Sequence, residues 1–231
     1  VTKIAGVYSL IALVRLFPGN VALKTTLLVL GLFTIVVGAL LALQQRSYKR
    51  IAAYSSVSQM GYLLLGLAAD TRLGLIASLL YLLSHALAKT ALFTNAAALE
   101  QRLGTLDIDE MGGLQAKMPI TSFSSVTALL SIAGVPPFAG FWSKLLVLIA
   151  LWSAGLHGVA AAALLLSILS GAYFLRLQKK TFFGKLNPRW EGVIEITGGI
   201  KVSEILLTIA TIAVGLLFPL VLLYLQHAGL V

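Results

Sequence analysis

Residues 118–152 read MPITSFSSVTALLSIAGVPPFAGFWSKLLVLIALW. The stretch is apolar enough to lie in lipid, yet Gly134, Pro136, Pro137 and Gly140 interrupt it and one cation, Lys144, follows. A continuous spanning helix needs about 20 residues, and this run is far longer. Adjacent prolines remove two amide donors and clash with the preceding turn. They predict a broken helix over residues 117–153, two half-helices joined at the prolines. Irregular backbone at membrane depth is stable only where it is buried in protein or lines a wet cavity, and discontinuous helices mark ion sites in transporters. A lysine beyond such a break is costly in hydrocarbon and reads first as functional. The plainer alternative is a kinked helix whose lysine snorkels to the interface.

The rest of the chain has the same character. Of its 231 residues 59% are hydrophobic and 11% charged, against about 25% charged in soluble domains; mean hydropathy is +0.98. This is an all-α integral membrane composition, because the apolar runs are far longer than barrel strands, which alternate over about 10 residues. There is no cysteine, so disulfides, thiolate metal sites and iron–sulfur clusters are excluded for this chain. Lys and Arg number 17 against 8 Asp and Glu, but the cations sit in short loops between apolar runs. That is a topology signal, and no nucleic-acid module accompanies it. Val1 is not an initiator methionine and no signal peptide is visible,; the chain is expected to start part-way through a longer unit.

Seven transmembrane helices are expected, at residues 2–18, 25–43, 51–69, 73–99, the broken run, 159–177 and 202–225. Alternating loops place Arg46, Lys49, Arg50, Arg102, Lys117, Arg176, Lys179, Lys180, Lys185, Arg189 and Lys201 on one side of the membrane. Only Arg15, Lys24 and Arg72 fall on the other. The positive-inside bias makes the first side cytoplasmic. The N-terminus then lies on the cytoplasmic side of a cell inner membrane and the C-terminus outside. Two full spans in place of the broken run would carry the large basic loop across and shrink the bias.

Four titratable groups remain inside apolar runs: Lys3, His85, Lys89 and Lys144. His85 and Lys89, four apart, share a helical face with Tyr81 and Ser84 nearby. Ser56, Ser58 and Gln59 add polar groups to the third run, and Ser131 precedes the break. A lysine at membrane depth costs about 2.5 kcal/mol or more, so three in one small bundle need a reason. Desolvation disfavours an ammonium, so a buried lysine can exchange a proton that an exposed one keeps; histidine exchanges near neutrality anyway. The chemistry implied is proton relay. No hydrolase triad, phosphate loop, metal-ligand cluster or cofactor site accompanies it. Against this, His85 could serve as an interhelical hydrogen-bonding residue, Lys89 as a structural partner and Lys3 as a wet terminal group. His157 and His227 read as solvated, Trp142 and Trp152 as packing or interface residues, Asp107 and Asp109 as solvated, and Glu204, at a span entrance, as interfacial.

The same residues carry a family resemblance. Residues 2–8 (TKIAGVY), 49–61 (KRIAAYSSVSQMG), 85–89 (HALAK) with Leu92 and Phe93, 111–114 (MGGL) with Met118 and Pro119, and 130–144 (LSIAGVPPFAGFWSK) resemble the proton-translocating antiporter-like family. That family comprises the large membrane subunits of respiratory complex I, Mrp-type Na⁺/H⁺ antiporters and membrane-bound [NiFe] hydrogenases. The motifs run in family order from residue 2 to about 180, and together they are specific where none is alone.

The resemblance implies a fourteen-helix fold with two inverted five-helix repeats, each containing a broken helix, of which this chain is similar to helices eight to fourteen. Residues 1–20 would be the remnant of the helix before the second repeat, 21–182 the repeat itself, and 183–231 a cytoplasmic loop and the last helix. Lys3 would match the eighth-helix lysine, His85 and Lys89 the eleventh-helix relay pair, and Lys144 the lysine of the second broken helix. The first repeat, with its glutamate and lysine, has no counterpart here, and Leu145 rather than an acid follows Lys144. A split subunit or a fragment is expected. The implied activity is proton translocation in a redox-driven complex or a cation/proton antiporter, by a subunit without a redox centre. The implied partners are the N-terminal half of the same subunit, neighbouring antiporter-like membrane subunits, a peripheral redox arm in a respiratory complex, and the lipid bilayer. Two rival readings are a Na⁺-translocating module and a non-conducting structural half-subunit.

Overall fold

The structure, a computed structural model, describes residues 2–227, with the side chains of Thr2, Lys3, Leu225 and Gln226 outside that description. Among the described residues the chain is helical: α1 (Thr2–Leu16), α2 (Val21–Gln44), α3 (Tyr48–Ala68), α4 (Arg72–Leu103), α5 (Pro119–Ala133), α6 (Ala139–Ser153), α7 (His157–Thr181) and α8 (Gly199–His227). The starts have local causes. Asn20 accepts from the Leu23 N–H at 3.0 Å to cap α2, and Thr71 accepts from the Gly74 N–H at 3.0 Å to cap α4. Each satisfies an amide that the first helical turn leaves open. Pro119 opens α5, where a missing N–H costs nothing.

Helices α2, α3, α4, α7 and α8 are each long and apolar enough to cross a membrane. The 24 residues of α2 extend about 36 Å, past the roughly 30 Å hydrocarbon core. The 15 residues each of α5 and α6 extend only about 22 Å, so neither half crosses alone. Where the sequence predicts seven spans, the described residues hold five full-length ones and three shorter apolar pieces, α1, α5 and α6.

Helix α4 lies at the centre, packed against α3, α5, α6 and α8, while α2 packs on α3 and α7. Lipid is as apolar as leucine, so close backbone approach holds such helices together. Gly38 of α2 shows this: a Cβ there would collide with the main chain of Ser58. Outward faces carry Leu165, Ile168, Leu175, Leu206 and Leu217, an apolar surface suited to lipid.

The loops on the basic side are tied down. Tyr48 N–H donates to the Leu106 carbonyl (2.9 Å) and Ile108 N–H to that of Arg46 (2.8 Å). Trp190 Nε1 donates to the Glu110 carbonyl (2.9 Å), and Arg102 Nη2 to that of Glu195 (2.8 Å).

Candidate functional site

Helix α5 stops at Ala133 for a reason written in the backbone. Gly134 adopts φ +86°, the left-handed region that glycine enters without penalty. Its N–H reaches the Ser131 carbonyl (3.1 Å) and the Val135 N–H reaches that of Leu130 (3.0 Å), the paired bonds of a Schellman end. Residues 134–138 then turn through Pro136 and Pro137, joined by a cis bond, before α6 begins. Gly140 sits where a Cβ would fall on the Ser131 carbonyl, so the two half-helices touch at main-chain distance.

This geometry leaves the last carbonyls of α5 open, and Lys144 closes them. Its Nζ donates to the carbonyls of Ala133 (3.0 Å) and Ile132 (3.3 Å) and stands 4.8 Å from the centre of the Tyr62 ring. A cation at a helix C-terminus is favoured by the helix dipole, by up to about 2 kcal/mol where partly buried. Lys144 is 5% exposed, which rules out snorkelling within this fold. None of the ion pairs among the described residues includes it.

Lys89, 4% exposed, points from α4 to α3. It donates to the Ala52 carbonyl (2.9 Å) and to Ser55 Oγ, and its Nζ lies 5.6 Å from the Phe174 ring centre. His85, 4% exposed, is one turn away on the same face.

Beside His85 lies a cavity of about 10 Å³ lined by Gln59, Tyr81, Ser84, His85, Ser131, Ile132 and Gly140, room for the centre of about one water. Gln59 is its hub: Nε2 donates to Ser170 Oγ (3.0 Å) and Tyr173 OH (3.1 Å), and Oε1 accepts from Tyr81 OH. Ser84 Oγ meets Ser143 Oγ at 3.1 Å, carrying the polar contact from α4 to the residue beside Lys144. The cavity thus brings His85 together with Gln59, Tyr81, Ser84, Ser131 and Gly140. Ser56 and Ser58 are buried outside the cavity lining: Ser56 donates to the Ala52 carbonyl that Lys89 also binds (3.2 Å) and Ser58 to that of Ile35 of α2 (3.0 Å). Lys3 lies outside the described side chains.

One reading needs correction. Glu204 is fully buried, not interfacial, because the loop between α7 and α8 folds over it and Thr121 of α5 donates or accepts at its Oε2 (3.1 Å). Sequence reasoning also passes over Ser55, Ser143 and Asn95. Ser55 follows Tyr48 and Ala52 at helical spacing on α3, a signal that separates it from Ser56 and Ser58.

Comparison with known proteins gives the family and the fold. Residues 1–170 match the family described as NADH:quinone oxidoreductase/Mrp antiporter, TM. Subunit 2 of the NAD(P)H-quinone oxidoreductase of Synechococcus elongatus is 38% identical over 150 residues, 65% of this chain and 29% of that protein. A chain of the membrane-bound sulfane sulfur reductase, an archaeal respiratory membrane complex, superposes with a TM-score of 0.85 at 34% identity, covering 91% of this chain and 37% of its own. A chain of the Mrp complex of Dietzia sp. DQ12-45-1b superposes with a TM-score of 0.77 at 29% identity, covering 86% and 45%. The chain spans less than half the length of the curated relatives it matches.

Proposed function

Because this chain belongs to the NADH:quinone oxidoreductase/Mrp antiporter transmembrane family, we propose that it moves protons through the membrane by a lysine–histidine relay. It is a multi-span antiporter-like membrane subunit, and the complex it serves is a redox-driven pump or an Mrp-type cation/proton antiporter. The relay runs from Lys3 through Lys89 and His85 to Lys144, with Lys89 as the central switch and Lys144 as the last carrier beside the break. The observation that carries it is the small polar cavity joining His85 of α4, one turn from Lys89, to the broken helix. A buried cation with hydroxyl and amide neighbours can change protonation and pass the proton on, whereas a scaffold would have no use for charges that cost about 2.5 kcal/mol or more each. Sodium prefers several oxygen ligands, and the surroundings of Lys144 supply carbonyls already taken by its own ammonium.

The N-terminus is assigned to the cytoplasmic side and the C-terminus to the outside, on the loop charges. A groove of about 1110 Å³ between α1, α4 and α8, lined by His85 and Lys89 with Phe93, Thr94 and Ser203, is the seat for the first half of the antiporter-like subunit. Neighbouring antiporter-like subunits and, in a respiratory complex, a peripheral redox arm complete the assembly. The test is Lys144→Met in the assembled complex, reconstituted in liposomes with a proton-sensitive dye. Translocation should vanish while assembly persists. Undiminished translocation, or translocation that follows Na⁺ replacement instead of H⁺, rejects the reading.

A further inference from the structure

A second group of buried titratable residues lies at the basic end of the bundle, away from both lysines. Glu204 of α8 is fully buried. Its Oε2 lies 3.1 Å from Thr121 Oγ1, and the same hydroxyl lies 2.9 Å from Glu195 Oε1. A threonine hydroxyl has one hydrogen to give. It can donate to one of these carboxylates only, so the other must supply the proton for its own contact.

Which one does so follows from the surroundings. Glu195 is half-buried and accepts from the N–H of Ile120 (2.6 Å) and of Ile196 (3.0 Å). It sits at the N-terminus of α5, where helix dipole and open amides favour an anion. Glu204 has no such amides. Its Oε1 accepts from Asn95 Nδ2 at 2.9 Å, and the same amide donates to Ser124 Oγ (3.0 Å) and accepts from the Ser125 N–H (3.0 Å); the amide orientation is assigned from these contacts. The other ionisable groups around the pair are Tyr48 of α3, Arg102 of α4, which holds the Glu195 carbonyl, and Lys201 one turn earlier on α8. The balanced arrangement is therefore neutral Glu204 donating to Thr121, which donates to anionic Glu195.

We propose that Glu195, Thr121 and Glu204 form a proton port, through which a proton reaches the buried relay from the face carrying the basic loops. Once Glu204 has given up its own proton inward, a proton arriving on Glu195 passes to Thr121 Oγ1 as that hydroxyl releases its own proton to the Glu204 carboxylate. The polar groups continue inward: Ser125 Oγ meets Tyr48 OH (2.9 Å) and donates to Gln178 Oε1 (3.1 Å). Gln178 Nε2 is buried with no hydrogen-bond partner among the described residues, a spare donor on the side chain that Ser125 binds. Tyr48, Ala52 and Ser55 then follow along one face of α3, and Lys89 binds the last two. From Tyr48 to Ser55 is about 10 Å along the helix.

The port rests on the proton-relay reading of Lys144, so the test separates the two. In liposomes containing the assembled complex, Glu204→Gln and Thr121→Val should each slow proton translocation roughly tenfold or more, and Thr121→Ser should restore it. The infrared band of a protonated carboxyl should disappear in Glu204→Gln, persist in Glu195→Gln, and be indifferent to Na⁺. Full transport in Glu204→Gln and Thr121→Val, where Lys144→Met transports nothing, overturns the port and leaves the relay standing. Full transport in Lys144→Met overturns the relay, and the infrared band then decides the shared proton alone. A band that Na⁺ abolishes means a cation site and overturns the port. Should Glu204→Gln fail to assemble, the Thr121→Val and Thr121→Ser pair decides: slowed transport restored by serine supports the port, and full transport in Thr121→Val overturns it.

Discussion

Lys144 Nζ lies 3.0 Å from the Ala133 carbonyl, so a side chain of α6 closes the open end of α5 across the break. One ammonium therefore has two duties, capping and proton exchange, and substitution can separate them. An arginine at 144 keeps a cationic donor at those carbonyls but cannot be deprotonated in a protein. Lys144→Arg should assemble with near-normal thermal stability and translocate no protons. Proton uptake into liposomes beside a thermal melt of the complex checks both halves, and normal uptake would show that release from this side chain is unnecessary.

Gln59 stitches three helices with one amide. It bonds Ser170 and Tyr173 of α7 and Tyr81 of α4 from its place on α3. Gln59→Leu leaves those groups buried without their partner, at about 1–3 kcal/mol for each that finds no substitute. A lower melting temperature in detergent is expected, with a further loss in transport because the cavity beside His85 loses its polar wall. An unchanged melt would mean that water or rotation repairs the network.

The break, the buried His85 and Lys89, and the apolar helices were legible in the sequence because each depends on local signals: paired prolines, four-residue spacing, run length. The polar neighbours were less so. Ser56 and Ser58 look like Ser55 in composition, and only the face set by Tyr48, Ala52 and Ser55 tells which serine meets Lys89. Glu204 was illegible for a different reason. Its burial depends on Thr121, Asn95 and Glu195, which lie 83, 109 and 9 residues away and meet only when the α7–α8 loop folds back.

Gly134 holds two constraints at once. It needs φ +86°, and a Cβ there would come 3.3 Å from Lys144 Nζ. Gly134→Ala should cost about 1–2 kcal/mol from the left-handed backbone alone and push the ammonium off its carbonyls. The expected result is a lower melting temperature together with slower translocation. Gly158→Ala, with open space around its Cβ position on α7, should leave both unchanged and serves as the control.

On the basic face, Asp109 receives a hydrogen bond from Lys180 and faces Arg46 Nε at 3.6 Å. The Lys180 ammonium, assisted by Arg46, holds its carboxyl below the usual carboxylate range. A carboxyl lowered in the folded state contributes stability above its unfolded value, about 4, and loses it as pH falls through the folded value. The contact joins the α4–α5 loop to the end of α7, and its partial exposure makes it weak and salt-sensitive. Asp109→Asn should therefore speed tryptic cleavage after Lys179 and Lys180 at neutral pH and low salt. In thermal melts the small gap between Asp109→Asn and the parent should be present at neutral pH, narrow below pH about 4, and close in high salt. A gap that widens on acidification would mean that Asp109 is held by something other than these cations.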